Sequence, residues 1–189
     1  MVKLNKIYTR TGDGGTTGLS DGSRVSKADA LMAAIGDVDE ANSALGVAIV
    51  LMEAGPLREA LSMVQNELFD LGADLATPWH PEVEPEHALR VTTGQVSRVE
   101  GLIDRVNADL SPLTSFILPG GSAVAAAMHV ARATVRRAER SMVAAATTRA
   151  LNPLGLIYIN RLSDLLFVVA RSLNKMGSGD VLWVPGASR

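Results

Sequence analysis

The sequence predicts an all-α fold, a five-helix up-and-down bundle made by one domain over residues 1–189. Three observations carry that expectation. Apolar residues recur at helical spacing through five long segments, proline and glycine punctuate the chain between them, and strand signals are confined to "KIYT" near the start and "VLWV" near the end. A chain of 189 residues fits one core, because domains typically run about 100–200 residues. With 47% hydrophobic and 20% charged residues, it has enough apolar surface to fold, unlike a disordered segment. The expected organisation is a polar loop over 1–25, the helical bundle over 26–177 and a tail over 178–189.

Each element follows in order. In "SKADALMAAIGDVDEANSALGVAIVLMEAG", Ser26 with Asp29 three residues later resembles a capping box with the shorter acid. A first helix is expected from there to near Gly55. Pro56 suits the first position of a second helix, whose Leu57, Leu61, Val64, Leu68, Leu71 and Leu75 form an apolar stripe. Thr77-Pro78 ends it, and "TPWHPEVEPEHALRV" (77–91) is a proline-rich surface connection. Thr92 or Thr93 caps a third helix to about Leu110, with Val96, Val99, Ile103 and Val106 facing inward. After the loop "LTSFILPGGS", Ser122 caps an alanine-rich fourth helix to about Arg149. Asn152-Pro153 breaks that run, and a fifth helix continues until Gly177 closes it.

Composition excludes several chemistries. A formal net charge of −2 gives no whole-protein field for nucleic acid, so an anion needs a local cluster. The absence of cysteine removes disulfides, thiolate catalysis and zinc–thiolate sites, which fits a reducing cytoplasm. No signal-peptide pattern opens the chain and no run of about 18 uninterrupted apolar residues occurs, so a cytoplasmic protein without a membrane span is expected.

The stretch "YTRTGDGGTTGLSDGSRVSK" (8–27) superficially resembles a phosphate-binding glycine loop. It lacks G-x-x-x-x-G-K-[ST], and no strand-turn-helix unit fits before it, so neither a P-loop nor a dinucleotide fingerprint is present. Glycine-flanked amides still form an anion nest, threonines add hydroxyl donors, and Arg10, Arg24 and Lys27 add charge beside a helix N-terminus. The bland alternative is a frayed polar terminus. Asp37, Asp39 and Glu40 interrupt the apolar first helix, where a solvated face is an alternative. On the fourth helix Arg132, Arg136 and Glu139 share one face, flanked by Arg137 and Arg140, either as solubilising charge or as a guanidinium fork for phosphate or an interfacial carboxylate. Asn160 and Asp164 share a face of the fifth helix. His80, His87 and His129 are too scattered for a metal-ligand set, and Phe116 and Leu118 are core plugs or line a ligand pocket.

Taken in order, "KIYTRTGDGGTTGL", "SKADALMAAIGDVDEANSALG", "FILPGGS", "ARATVRRAER" and "YINRLSDLLFVVAR" resemble the ATP:cob(I)alamin adenosyltransferases of the propanediol-utilisation and mitochondrial type, across almost the whole chain. The resemblance implies transfer of the 5′-deoxyadenosyl group of ATP to a corrinoid cobalt, with release of inorganic triphosphate, by a homotrimer whose active sites lie between subunits. By the same resemblance, Thr9, Arg10, Gly12, Asp13, Gly14, Gly15, Thr16 and Thr17 form the loop that orders around ATP, and Lys27 contacts its phosphates. Arg132 and Arg136 hold triphosphate charge, and Glu139 and Asn160 contact or orient the nucleoside side. Asp39 pairs with Arg132 across the interface, and Phe116 stands under the corrin ring. No side-chain metal ligand is assigned, and Mg2+ arrives with ATP. Cobalamin is substrate, as cob(I)alamin or its cob(II)alamin precursor. A flavoprotein reductase and an adenosylcobalamin-dependent enzyme are the implied partners. One departure is Ala41 in "DEANS", where many relatives carry leucine, which is expected to alter packing rather than chemistry. A corrinoid-binding delivery protein that uses ATP as a switch, and a helical interaction protein, are the competing functions.

Overall fold

The computed structural model describes residues 7–82 and 88–189. Lys6 of the "KIYT" stretch and His87 lie outside the described residues. Five helices follow a small antiparallel hairpin: β1 (Thr16–Gly18), β2 (Arg24–Ser26), α1 (Ala30–Val50), α2 (Pro56–Leu75), α3 (Thr93–Asn107), α4 (Ala123–Ala146) and α5 (Pro153–Ser172).

The hairpin corrects the purely helical expectation. Thr16 pairs with Ser26, Thr17 with Val25 and Gly18 with Arg24, and the turn closes through Leu19 N–H to Ser23 O at 2.8 Å, with Gly22 at φ 83°. Neither strand carries the alternating apolar pattern that marks a half-buried strand. The hairpin is tied down elsewhere: Leu19 is buried and the Ser20 amide donates to Ala76 O at 3.0 Å, at the end of α2. The other two strand signals fare differently. Residues 7–9 of "KIYT" form no strand, and of "VLWV" only Leu182 makes a bridge, to Ile117.

Helix starts follow the capping chemistry with one change. Ser26 is committed to β2, so Asp29 itself caps α1, accepting from the Leu31 amide at 2.9 Å. Pro56 and Pro153 occupy first-turn positions of α2 and α5. The amide of Thr92 donates to Gln95 Oε1 at 2.8 Å at the start of α3, and Ser122 and Asn152 cap α4 and α5. Helix ends come earlier than expected: α1 stops at Val50, α3 at Asn107 and α4 at Ala146.

Core positions on α1 fall at Leu31, Ala34, Val38, Ala41, Leu45 and Ala48, and on α4 at Met128, Ala131, Val135, Ala138, Met142 and Ala145, all buried. Both rows step by three and four residues, the spacing that keeps one seam toward a neighbour. Contacts between them run in opposite chain order: Arg149 meets Asp29, while Arg137 meets Asp37 and Glu40. Helix α5 is long and apolar enough by composition to cross a membrane. Its Tyr158, Ile159, Leu162, Leu165, Leu166 and Val169 are fully buried by the rest of the chain, as befits a central helix.

Two polar networks set the register of α2 against its neighbours. Asp74, buried, accepts from Arg90 Nη1 at 2.8 Å, the Val91 amide at 2.8 Å and Asn152 Nδ2 at 2.7 Å. Glu67 accepts from the Tyr158 hydroxyl at 2.8 Å and pairs with Arg98. Burial, with the Glu67 charge next, pushes the Tyr158 phenol well above its ordinary range. Asp74 is the buried acceptor that joins the Val91 amide, Asn152 and Arg90, so its loss removes one carboxylate from all three donors at once. Asp74→Ala is expected to cost about 3 kcal/mol, lowering the melting temperature by roughly 6–12 °C in thermal unfolding.

Candidate functional site

Burial of Ala131, Val135, Ala138 and Met142 leaves the intervening residues of α4 on two flanks. Arg137 and Ser141 face α1, where Arg137 Nε donates to Asp37 Oδ1 at 3.1 Å and also pairs with Glu40, and Ser141 donates to Asp37. Asp37 and Glu40 therefore serve the packing of α1 on α4. The other flank faces α5. Asn160 Nδ2 donates to Glu139 Oε1 at 2.8 Å, and Arg161 Nη1 donates to Asn160 Oδ1 at 2.9 Å while its Nε reaches Glu100 at 2.9 Å. Arg136 is exposed on the same side, with its backbone carbonyl accepting from Arg140.

Arg132 lines a recess of about 670 Å³ with Leu113, Phe116, Ile117 and Phe167. That volume is within the range of small-molecule sites. Its guanidinium stands 6.0 Å from the Phe167 ring centroid, and its buried Nε has no hydrogen-bond partner among the described residues. Burial, followed by the neighbouring Arg136 charge, lowers the Arg132 pKa. An incompletely paired guanidinium lining a cavity is suited to an arriving anion. Phe116 is 77% exposed at the tip of the loop between α3 and α4 and meets Trp183 edge-on, ring centroids 6.1 Å apart.

The N-terminal loop assembles a second group. Gly15 N–H donates to Gly12 O at 3.1 Å, and the Lys27 amide donates to Gly15 O at 2.8 Å. A Cβ on Gly12 would stand 3.1 Å from Lys27 Nζ, so the lysine head lies directly over the turn that contains Asp13 and Gly14. Thr9 and Thr11 share a hydroxyl hydrogen bond at 2.8 Å, Arg10 sits at φ 63° with its guanidinium 5.6 Å from the Tyr8 centroid, and Thr16 and Thr17 are in β1. Arg24, expected to add loop charge, instead holds the hairpin: it donates to Thr11 O at 2.8 Å, Thr16 O at 3.1 Å and Thr16 Oγ1 at 2.8 Å.

These two groups do not meet within the chain. The loop leads into Asp29, which pairs with Arg149 just past the end of α4 at 2.7 Å. At about 1.5 Å per residue, Arg136 lies roughly 15 Å and Arg132 roughly 21 Å from Ala146 along α4. Asp39 is exposed and lines a different recess, about 420 Å³ between α1 and α2, beside Phe69, which is 69% exposed. Among the described residues, no ion pair joins Asp39 to Arg132. Sequence reasoning missed Phe167, Arg161, Glu100 and Trp183. Phe167 lies seven residues after Asn160 on one helix, a usable signal, whereas Trp183 reaches the site only through the tertiary fold.

The cobalamin adenosyltransferase family model matches residues 7–173. The corrinoid adenosyltransferase of Mycobacterium tuberculosis H37Rv is 51% identical over 192 residues, covering 100% of this chain and 97% of the relative. The cobalamin adenosyltransferase of Cupriavidus metallidurans is 47% identical, covering 96% and 95%. A variant PduO-type ATP:corrinoid adenosyltransferase from Lactobacillus reuteri, solved complexed with cobalamin and ATP, superposes with a TM-score of 0.87 at 38% identity, covering 95% of this chain and 97% of its own.

His129 lies one turn before Arg132, buried against Phe167, with Nδ1 unpartnered among the described residues. Burial first, then the Arg132 charge, lowers its pKa below 6.5, against a smaller opposing pull from Asp180. The folded state thus keeps His129 neutral where the unfolded chain takes a proton, so stability falls as pH drops below about 6.5. Denaturant unfolding of His129→Leu from pH 7.5 to 5 is expected to show a shallower decline than the parent protein.

Proposed function

The chain belongs to the cobalamin adenosyltransferase family, and on that premise we propose how its side chains carry the reaction. It transfers the 5′-deoxyadenosyl group of ATP to the cobalt of cob(I)alamin, forming adenosylcobalamin and inorganic triphosphate. The cobalt lone pair forms the Co–C5′ bond as the C5′–O bond breaks, and that electron pair leaves on the triphosphate. Cob(I)alamin is itself a strong nucleophile, so the protein needs no general base. Its work is alignment of cobalt with C5′ and stabilisation of the leaving charge.

The observation that carries the residue assignments is the shared recess of Arg132 and Phe116: a cation for the polyphosphate and an aromatic surface for the corrin face open onto one cavity. Arg132 and Arg136 hold the triphosphate. Glu139, fixed by Asn160, orients the nucleoside. Thr9, Arg10, Gly12, Asp13, Gly14, Gly15, Thr16, Thr17 and Lys27 enclose the phosphates from the other side, with amides and hydroxyls as donors. Phe116 occupies the lower axial face of cobalt and excludes the lower ligand there, which makes cobalt(II) easier to reduce. Among the described residues no group of three or more His, Asp or Glu is placed to hold a metal. Mg2+ fits as a companion of ATP, held by phosphate and water oxygens and neutralising leaving-group charge.

The loop leads into Asp29, which pairs with Arg149 past the C-terminal end of α4, whereas Arg136 and Arg132 lie roughly 15 and 21 Å back along that helix from Ala146; this placement supports a site shared between subunits, with the loop of one against α4 of the next. A homotrimer of up-and-down bundles provides that pairing, and the contrary chain order of the α1–α4 contacts agrees with it. Exposed Asp39 beside the apolar recess at Phe69 meets the under-paired Arg132 of a neighbouring copy. A cytoplasmic setting supplies ATP, a flavoprotein reductase for cobalt and an adenosylcobalamin-dependent enzyme to take the product.

Arg136→Ala is expected to lower turnover at least tenfold while leaving the thermal unfolding curve unchanged; near-parental turnover removes Arg136 from the phosphate site. Subunit sharing has its own test. Lys27→Ala and Arg136→Ala chains, each of low activity alone, are unfolded together and refolded. A cyclic assembly regains activity at about a quarter of its sites, those combining an intact loop with an intact α4. A mixture no more active than its two components argues for a site within one chain.

A further inference from the structure

The segment between α3 and α4 that carries Phe116 is held at both ends by the C-terminal end of α5. Arg171 Nη2 donates to Ser111 O at 2.8 Å where the segment begins. Asn174 Oδ1 accepts from the Ser122 amide at 3.2 Å where it ends. Both holding residues converge on one carboxylate: Arg171 Nε donates to Asp180 Oδ2 at 2.9 Å, and Asn174 Nδ2 donates to Asp180 Oδ1 at 3.2 Å. The Arg171 and Asp180 side chains are only 6% and 4% exposed. Backbone closes tightly around them. A Cβ on Gly121, at φ 96°, would fall 2.3 Å from Asn174 Oδ1, so a side chain there would displace the clasp.

From Asp180 the tail runs directly beneath Phe116. Leu118 N–H donates to Val181 O at 2.7 Å, Trp183 N–H donates to Phe116 O at 2.7 Å, and Ser115 Oγ donates to Trp183 O at 2.8 Å. Phe116 is largely exposed and its ring rests edge-on against Trp183 of the same tail, so the clasp that holds the tail determines where it stands. A buried ion pair is weak evidence for net stability because desolvation offsets its attraction, and its best-attested use is to fix geometry.

We infer that Asp180 is a positioning residue for corrinoid recognition: by tying Arg171, Asn174 and the tail together it sets the height of Phe116 against the lower face of the corrin. The inference rests on the role proposed above for Phe116. If the clasp loosens, Phe116 recedes and the lower nitrogenous base of cobalamin keeps its bond to cobalt(II). ATP binding, which uses other residues, is unaffected, and so is a corrinoid that carries no lower base.

The test compares the parent protein with Asp180→Asn and Trp183→Pro. Trp183→Pro removes both the amide that donates to Phe116 O and the ring that meets Phe116, severing the tail's hold on that residue, and lies on an exposed tail. With ATP bound, electron paramagnetic resonance of cob(II)alamin reads the four-coordinate fraction, and steady-state kinetics give KM for each substrate. The four-coordinate fraction is expected to fall at least threefold and the cobalamin KM to rise at least fivefold in Asp180→Asn. KM for ATP, and turnover with a corrinoid lacking the lower base, are expected to stay within twofold. A folded Asp180→Asn with the parental four-coordinate fraction overturns the inference, as does equal loss with both corrinoids. If Asp180→Asn does not fold, the same spectra of Trp183→Pro decide: a reduced fraction supports the clasp and a parental one overturns it. A parent protein that forms the four-coordinate species yet transfers no adenosyl group contradicts the transferase mechanism instead, and the comparison of spectra still judges the clasp.

Discussion

Alternate alanines on α1 and α4 let two helix backbones approach closely, and that contact commits every other side chain of α4 to one of two flanks. With Ala131, Val135, Ala138 and Met142 buried in the seam, Arg137 and Ser141 turn to Asp37 and Glu40 of α1. Arg132, Arg136 and Glu139 are left toward α5 and the recess. The same helix thus carries one row of charge turned to α1 and another turned to α5, separated only by the phase of its core positions. Ala41 belongs to the α1 seam and is fully buried. A larger residue at that point demands more room between elements.

The helices were legible because their signals are local. Periodicity located all five, and Pro56, Thr92 and Ser122 marked starts by chemistry that acts within one turn, whereas Asn152-Pro153, read only as a break, holds the cap and first turn of α5. The hairpin was not legible. Its three-residue strands carry a single apolar side chain, Val25, too little for a periodic signal, and it is held by Arg24 donating to Thr11 and Thr16, a use of arginine that composition counts as free charge. Ser26 illustrates the same competition: a good capping residue by sequence, it is drawn into pairing with Thr16, and Asp29 takes over the cap.

The site was legible in its parts and not in its assembly. Helical spacing placed Arg132, Arg136 and Glu139 together, and the bond from Asn160 to Glu139 shows how α5 fixes one of them. The contacts from Asp180 to Arg171 and Asn174, and from the tail to Phe116, join segments far apart in sequence with no recurring spacing. Only the folded chain brings them into register. Helix α4 carries Arg132 and Arg136, while the N-terminal loop and the loop between α3 and α4 are each held by a side-chain clasp, Arg24 at one and Asp180 at the other. Positioning of this kind suits a reaction whose nucleophile needs no activation by the protein.

The most direct measurement is an anaerobic reaction of the purified protein with Mg-ATP and chemically reduced cob(I)alamin, following adenosylcobalamin by absorbance and polyphosphate products by chromatography. Adenosylcobalamin and inorganic triphosphate forming together in a one-to-one ratio over many turnovers is the predicted result. Tight binding of both substrates without either product, or phosphate release without a cobalt–carbon bond, would contradict the account.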